Sequence, residues 1–179
     1  QQTSQPTNHP LSSPTPLPTL TPPPTAVSQP TPTYSPDLAD WTILIYMDGD
    51  NNLAASALND LNEMEAAGSS QAVNVLVQLD RPNGEGALRY KLEGDADDTA
   101  VATPPLSDLG EVNMGDPQTL ADFITWGLTT YPANRAALIL WDHGAGWQGV
   151  AFDDDSADYG LPDNLSLPDL SGALAAAQA

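Results

Sequence analysis

Ala136-Ala137-Leu138-Ile139-Leu140-Trp141-Asp142-His143-Gly144-Ala145-Gly146-Trp147 is the stretch whose reading decides the fold. Its apolar run is too short for an independent helix and lies between Asn134-Arg135 and a pair of glycines, the pattern of a strand buried on both faces. Such strands belong to parallel sheets, and in open α/β folds the crevice beyond their carboxyl ends is where ligands bind. His143 sits at that end. An imidazole there changes charge near neutral pH and can carry protons. Gly144 and Gly146 let the backbone turn sharply and offer a bare N–H to a developing oxyanion. The bland alternative is a strand-end histidine that hydrogen-bonds a turn.

Upstream of this strand, Asp116-Pro117 is a helix start, with the acid at the N-cap and proline at the first helical position. Leu120, Phe123, Ile124, Gly127, Leu128 and Tyr131 then mark one apolar helical face, ended by Tyr131-Pro132. Further back, Trp41 to Met47 is a β-rich apolar run expected to form a central parallel strand. Asp48-Gly49-Asp50-Asn51-Asn52 breaks it. Leu53, Ala57, Leu61 and Met64 recur at helical spacing, which predicts a helix over 53–67 ended by Gly68. The acidic turn is not an EF-hand, because Leu53 stands where that loop needs glycine and Asn59 where it needs glutamate. Asp48 and Asp50 also have the spacing of a dehalogenase-type nucleophile and acid, but no convincing phosphate-binding lysine follows.

Val73 to Leu79 predicts the second strand. Asn83-Gly84 is a hairpin signal leading into a third, half-exposed strand over 87–92. Arg81, Arg89 and Lys91 lie in this hairpin and read as a solvated edge that resists aggregation. Beyond Trp147 the chain is expected to be irregular and acidic. Asp153, Asp154, Asp155 and Asp158 offer a candidate calcium site, against the simpler reading of solvated loop carboxylates. Ser166 to Asp169 has the form of a capping box with aspartate for glutamate, opening a helix through Leu170 and Leu174.

Charge and composition exclude whole classes of partner. The 179 residues carry 24 acids against 4 Lys+Arg, a formal net charge of -20, so nucleic acid and anionic membrane are poor partners. The same charge suits basic substrates or calcium, or serves solubility alone. With no cysteine, the chain forms no disulfide and no thiolate metal site. No apolar run approaches the length of a membrane-spanning helix. Residues 1–40 divide off as a disordered spacer. Gln1 to Pro36 is uncharged, rich in Pro, Thr, Ser and Gln, and cannot bury enough apolar surface to offset its ordering entropy. Thr-Pro tethers of this kind hold extracellular domains off a surface, or simply link two domains. Starting at Gln1, the chain reads as a mature product or a fragment.

Four blocks in order carry a resemblance: Trp41 to Leu53, Ala57 to Glu65, Gly110 to Pro117 and Leu140 to Trp147. Together they resemble the amino-terminal part of a clostripain-family cysteine peptidase, a relative of caspases, gingipains and legumain, and the resemblance covers 41–179. It implies an α/β, caspase-like three-layer sandwich with a mainly parallel sheet, stopping before the strand that bears the cysteine. It implies that His143 is the catalytic histidine and Gly144 the oxyanion donor. Asp142 is not assigned as an orienting partner, since neighbours on a strand point to opposite faces. The family's nucleophile belongs to an Asp-Ala-Cys type motif on the next strand, and no such cysteine exists here.

The activity implied is endopeptidase cleavage after Arg or Lys. The implied partners are protein or peptide substrates carrying those residues, together with the remainder of the peptidase domain. No cofactor is demanded, calcium being the candidate. The expected location is extracellular or tethered at the cell surface. A non-catalytic, peptidase-like binding or structural module is the competing class. Some members are cut between histidine and cysteine at a basic residue, yet residues 136–179 contain no Lys or Arg, so any such cut is expected elsewhere.

Overall fold

In a computed structural model, residues 34–82, 84–97, 99–154 and 163–177 are described. The elements are β1 (Ala39–Asp48), α1 (Ala54–Glu65), β2 (Val73–Asp80), β3 (Leu88–Lys91), β4 (Ser107–Asp108), α2 (Pro117–Thr130), β5 (Ala133–Trp141), β6 (Val150–Asp153), β7 (Asp163–Leu165) and α3 (Leu167–Ala176). Five strands form one sheet in the order β4-β3-β2-β1-β5. β1 runs parallel to β2 and to β5, while β3 and β4 are antiparallel additions. β2 and β3 are therefore the two arms of the expected hairpin, Asn83 itself lying outside the described residues.

Because side chains alternate along a strand, β1 feeds two cores. Leu44 and Tyr46 pack with Leu76, with Leu120, Phe123 and Ile124 of α2, and with Ala173 of α3. Ile45 and Met47 pack with Val75, Val77 and Leu79 and with Ala57 and Leu61 of α1. Helices thus cover both faces, and the α/β three-layer sandwich expected from the sequence is the fold. The helix starts follow their local signals. The Asp116 carboxylate accepts from Gln118 N at 2.8 Å with Pro117 behind it, and Ser166 with Asp169 forms a reciprocal capping box. α1 begins without a side-chain cap at Leu53.

Three expectations need correction. β5 is not buried on both faces: it is the edge of the described sheet, most of it is half-buried or exposed, and Ile139 is 46% exposed. Two of the three hairpin cations, Arg89 and Lys91, are not a solvated edge either, whereas Arg81 pairs with the exposed Glu85. Arg89 Nε donates to Gln78 Oε1 at 2.8 Å, with its guanidinium 4.8 Å from the Trp126 ring centroid, and Lys91 Nζ lies 4.7 Å from that of Tyr131. These cations lie over aromatic rings of α2 and the residue that follows it, a contact that also covers the rings. Finally, the segment after Trp147 is not wholly irregular, since β6 and β7 pair antiparallel there.

Within the stretch assigned to the spacer, residues 1–33 lie outside the described residues. From Tyr34 onward the chain is tied to β5 and β1. Ser35 N donates to Asn134 Oδ1 at 2.6 Å, Asn134 Nδ2 returns a bond to Ser35 O at 2.8 Å, and Tyr34 Oη donates to Asp40 Oδ1 at 2.8 Å.

Candidate active site

The backbone ladder between β1 and β5 ends at Met47 opposite Trp141. Past that point the strand ends stay together through side chains. Asn51 Nδ2 donates to Asp142 Oδ1 at 2.8 Å and to Phe152 O at 3.2 Å, while Asn51 Oδ1 accepts from Leu53 N at 2.8 Å. Asn52 Oδ1 lies 2.9 Å from His143 Nε2. Consecutive asparagines therefore hold consecutive residues of the other strand. Trp141 Nε1 adds a bond to Asp60 Oδ2 of α1 at 2.7 Å, securing the end of β5 from the opposite layer.

Asp142 and His143 lie just past the end of β5 and bond different partners, Asp142 to Asn51 and Phe152 and His143 to Asn52. The second carboxylate oxygen of Asp142 accepts from Phe152 N at 2.6 Å, so both oxygens are engaged away from the imidazole. His143 is exposed at the carboxyl end of the sheet, beside Gly144, whose backbone forms an isolated antiparallel bridge with Val150. Gly144 does not occupy the left-handed region, and a Cβ built there meets nothing within 4 Å. Its lack of a side chain leaves room beside the imidazole rather than enabling a turn. The sharp turn falls instead on Gly146, with φ +62°, which opens a short 3₁₀ turn over Gly146–Gln148. Trp147 on that turn is 81% exposed.

Behind this surface lies a buried group of acids. Asp48, Asp50 and Asp80 are fully buried and Asp153 nearly so. One oxygen of Asp48 accepts from Asp50 N, and one oxygen of Asp80 accepts from Arg81 N. Among the described residues, the other oxygen of Asp48 and of Asp80 has no hydrogen-bond partner. Burial pushes the Asp48 carboxyl up to about 8, helped by the charges of Asp142 and Asp153. Burial likewise pushes Asp80 up to about 8, with Glu111, Asp153 and Asp50 adding repulsion. Both carboxyls therefore hold protons at neutral pH. Being enclosed, Asp48 and Asp50 have no opening to a phosphate substrate, which removes the dehalogenase-type reading.

Asp153 departs from its expected role in a solvated acidic loop. It turns inward, its Oδ2 accepts from Met114 N at 2.8 Å, and its carboxylate, with those of Asp50 and Glu111, places oxygen atoms within 4.8 Å of one another. Three hard oxygen donors suit calcium or magnesium rather than a softer metal. Asp154 is exposed, and Asp155 and Asp158 lie outside the described residues. Sequence reasoning missed Glu111, the inward turn of Asp153 and the part played by Asn51 and Asn52. The two asparagines offered only the signal of a turn.

A family model described as the Clostripain family matches residues 45–179, a span that includes both Asn52 and His143. The chain belongs to the clostripain family. Clostripain of Hathewaya histolytica is 30% identical over 161 residues, covering 74% of this chain and 31% of that protein. A secreted C11 cysteine protease from Bacteroides thetaiotaomicron, solved with an irreversible peptide inhibitor, superposes with a TM-score of 0.64 at 28% identity, over 78% of this chain and 40% of that one. An inactive zymogen C11 protease from Parabacteroides distasonis gives 0.58 at 30% identity, again over 78% and 40%. A cysteine protease of B. fragilis gives 0.52 at 26% identity, over 62% of this chain and 93% of that one. The clostripain-family fold assigned from four sequence blocks is thus the fold of this chain, which spans well under half of the clostripain it matches.

Proposed function

We propose that this chain supplies the histidine half of a clostripain-type cysteine endopeptidase. The observation that carries the reading is the exposed imidazole of His143 at the carboxyl end of β5, with open space at Gly144 beside it, in a chain of this family. The nucleophile is a cysteine on a strand added alongside β5, whose outer edge, unpaired among the described residues, and exposed Ile139 suit such a neighbour. His143 takes the thiol proton as sulfur attacks the scissile carbonyl carbon, then returns it to the leaving amine. Water next attacks the thioester carbon and releases the acid, and backbone N–H groups near Gly144 hold the oxyanion.

Cleavage after Arg or Lys is the specificity we assign, since an acidic partner near the nucleophile binds such a cation and the net charge of -20 draws it in. The enzyme works outside the cell, in keeping with the secreted Bacteroides relative. Calcium, where it binds, is assigned to Asp50, Glu111 and Asp153 as counter-charge to the buried acids around them. No step of the hydrolysis runs through it.

The test is steady-state hydrolysis of a small Arg-amide by the longer protein that carries the family's cysteine. His143→Ala should lower turnover by a factor on the order of 10²–10⁴ while circular dichroism stays unchanged. Full turnover in a folded His143→Ala protein overturns the assignment. A substrate with Ala in place of Arg should be cleaved far more slowly.

A further inference from the structure

Resting on the peptidase reading above, we infer that Asn52 is the positioning residue of this site: its side-chain carbonyl accepts from His143 Nε2–H and so fixes which imidazole nitrogen is the base. The contact is a single 2.9 Å approach of Oδ1 to Nε2. An amide oxygen has lone pairs and no proton, so the nitrogen facing it must carry the hydrogen. In a neutral imidazole the other nitrogen is then bare. Among the described residues nothing bonds Nδ1 of His143, which is left to meet a thiol arriving from a strand beside β5.

The neighbouring groups exclude other orienting partners. Asp142 adjoins His143 in sequence, but Asn51 Nδ2 holds one of its oxygens and Phe152 N the other. Asn51 is itself spent, its amide on Asp142 and Phe152 and its carbonyl on Leu53 N. That arrangement fixes the turn and leaves Asn52 as the side chain that reaches the ring. The orienting group is therefore a neutral amide supplied by the turn after β1, not a carboxylate. It selects a tautomer without adding charge beside the imidazole. When the ring takes the thiol proton, the Nε2–H bond to Asn52 persists and strengthens, so the same contact steadies both protonation states.

The experiment uses the longer, cysteine-bearing protein with ¹⁵N-labelled histidine, the His143 signals being identified by their loss in His143→Gln. Long-range ¹H–¹⁵N correlation spectra of the neutral ring should show Nε2 protonated and Nδ1 bare. Asn52→Ala should blur this into a mixture of tautomers and lower kcat by about 10–100-fold, by analogy with the loss on removing a partner that orients a metal-ligating histidine, with KM little changed. Asn52→Asp keeps an acceptor oxygen in place and should restore the Nε2–H form and most of the lost turnover. A native spectrum with the proton on Nδ1 overturns the inference. So does an Asn52→Ala protein whose spectrum and kcat match the parent. The two readings fail separately: an active, folded His143→Ala protein overturns the peptidase assignment, whereas the spectrum reports on Asn52 whatever the enzyme cleaves.

Discussion

β1 and β5 lie side by side and run the same way, yet one is interior and the other an edge. Leu44, Ile45, Tyr46 and Met47 of β1 are at most 4% exposed, while Ile139 of β5 is 46% exposed. Their compositions do not differ in kind. An apolar run states that a strand belongs in the middle of a sheet, but burial is granted only by what pairs beyond it and packs over it. β5 carries the side chains of an interior strand in an edge position. Its site residue, His143, sits at the exposed strand end, and the acids Asp48 and Asp80 sit at the ends of the two buried strands.

The sharpest way to break this contrast is to truncate one residue on each side. Leu44→Ala removes a buried side chain of β1 that packs with Leu76 and with Leu120, Phe123 and Ile124 of α2, and should cost about 2–5 kcal/mol. Ile139→Ala should stay within about 0.5 kcal/mol of the parent, rising once a strand covers β5. Chemical denaturation midpoints at constant slope measure both, and equal losses would mean that β5 is not an edge in solution.

The acids at the buried strand ends give a second effect, read against pH. Folded Asp48 and Asp80 hold their protons up to about pH 8, whereas unfolded carboxyls ionise near 3.8. The folded state therefore binds more protons between those limits. This contribution to stability is complete below the lower value and is lost as pH rises through the upper one. The melting temperature should fall from pH 5 to pH 9, and Asp80→Asn should flatten that fall. Calcium added at pH 9 should raise the melting temperature again if Asp50, Glu111 and Asp153 take it up. A pH-independent melting temperature would contradict the burial of these groups.

Two glycines sharpen the contrast at the smallest scale. A Cβ at Gly127 in α2 would come within 2.3 Å of Leu44 Cδ2 and 3.1 Å of Leu76 Cδ1, so Gly127→Ala should destabilise by about 1–3 kcal/mol. At Gly172 in α3 a Cβ meets nothing within 4 Å, and Gly172→Ala should stabilise by up to about 1 kcal/mol through helix propensity. Thermal melts of both variants decide it, and shifts of the same sign would be the wrong result.

Features legible in the sequence were the ones encoded by near neighbours. The apolar runs of β1, β2 and β5, the Asp116-Pro117 start of α2 and the Ser166 capping box each depend on a few consecutive residues. Errors fell where the deciding partner is far along the chain. Arg89 read as a solvated cation because the rings of Phe123 and Trp126 that it covers come more than thirty residues later. Asp153 read as a loop acid because Met114 N, which holds it, lies 39 residues earlier, between β4 and α2. His143 stood out through its place after an apolar run. Asn52 did not, because its partner is 91 residues away and asparagine in a turn already has a sufficient local explanation.

The paired asparagines make loop length itself a determinant of the site. Asn51–Asp142 and Asn52–His143 are both separated by 91 positions, three fewer than the last ladder pair, Met47–Trp141. The turn after β1 therefore carries three more residues than the opposite strand uses over the same advance. That surplus sets which amide meets which neighbour. Deleting a single residue between Met47 and Asn51 would shift both asparagines one step out of phase, bringing a different side chain opposite the imidazole while every amino acid known to contact it was still present. Substitutions and deletions in this turn are consequently different experiments, one removing a contact and the other reassigning it.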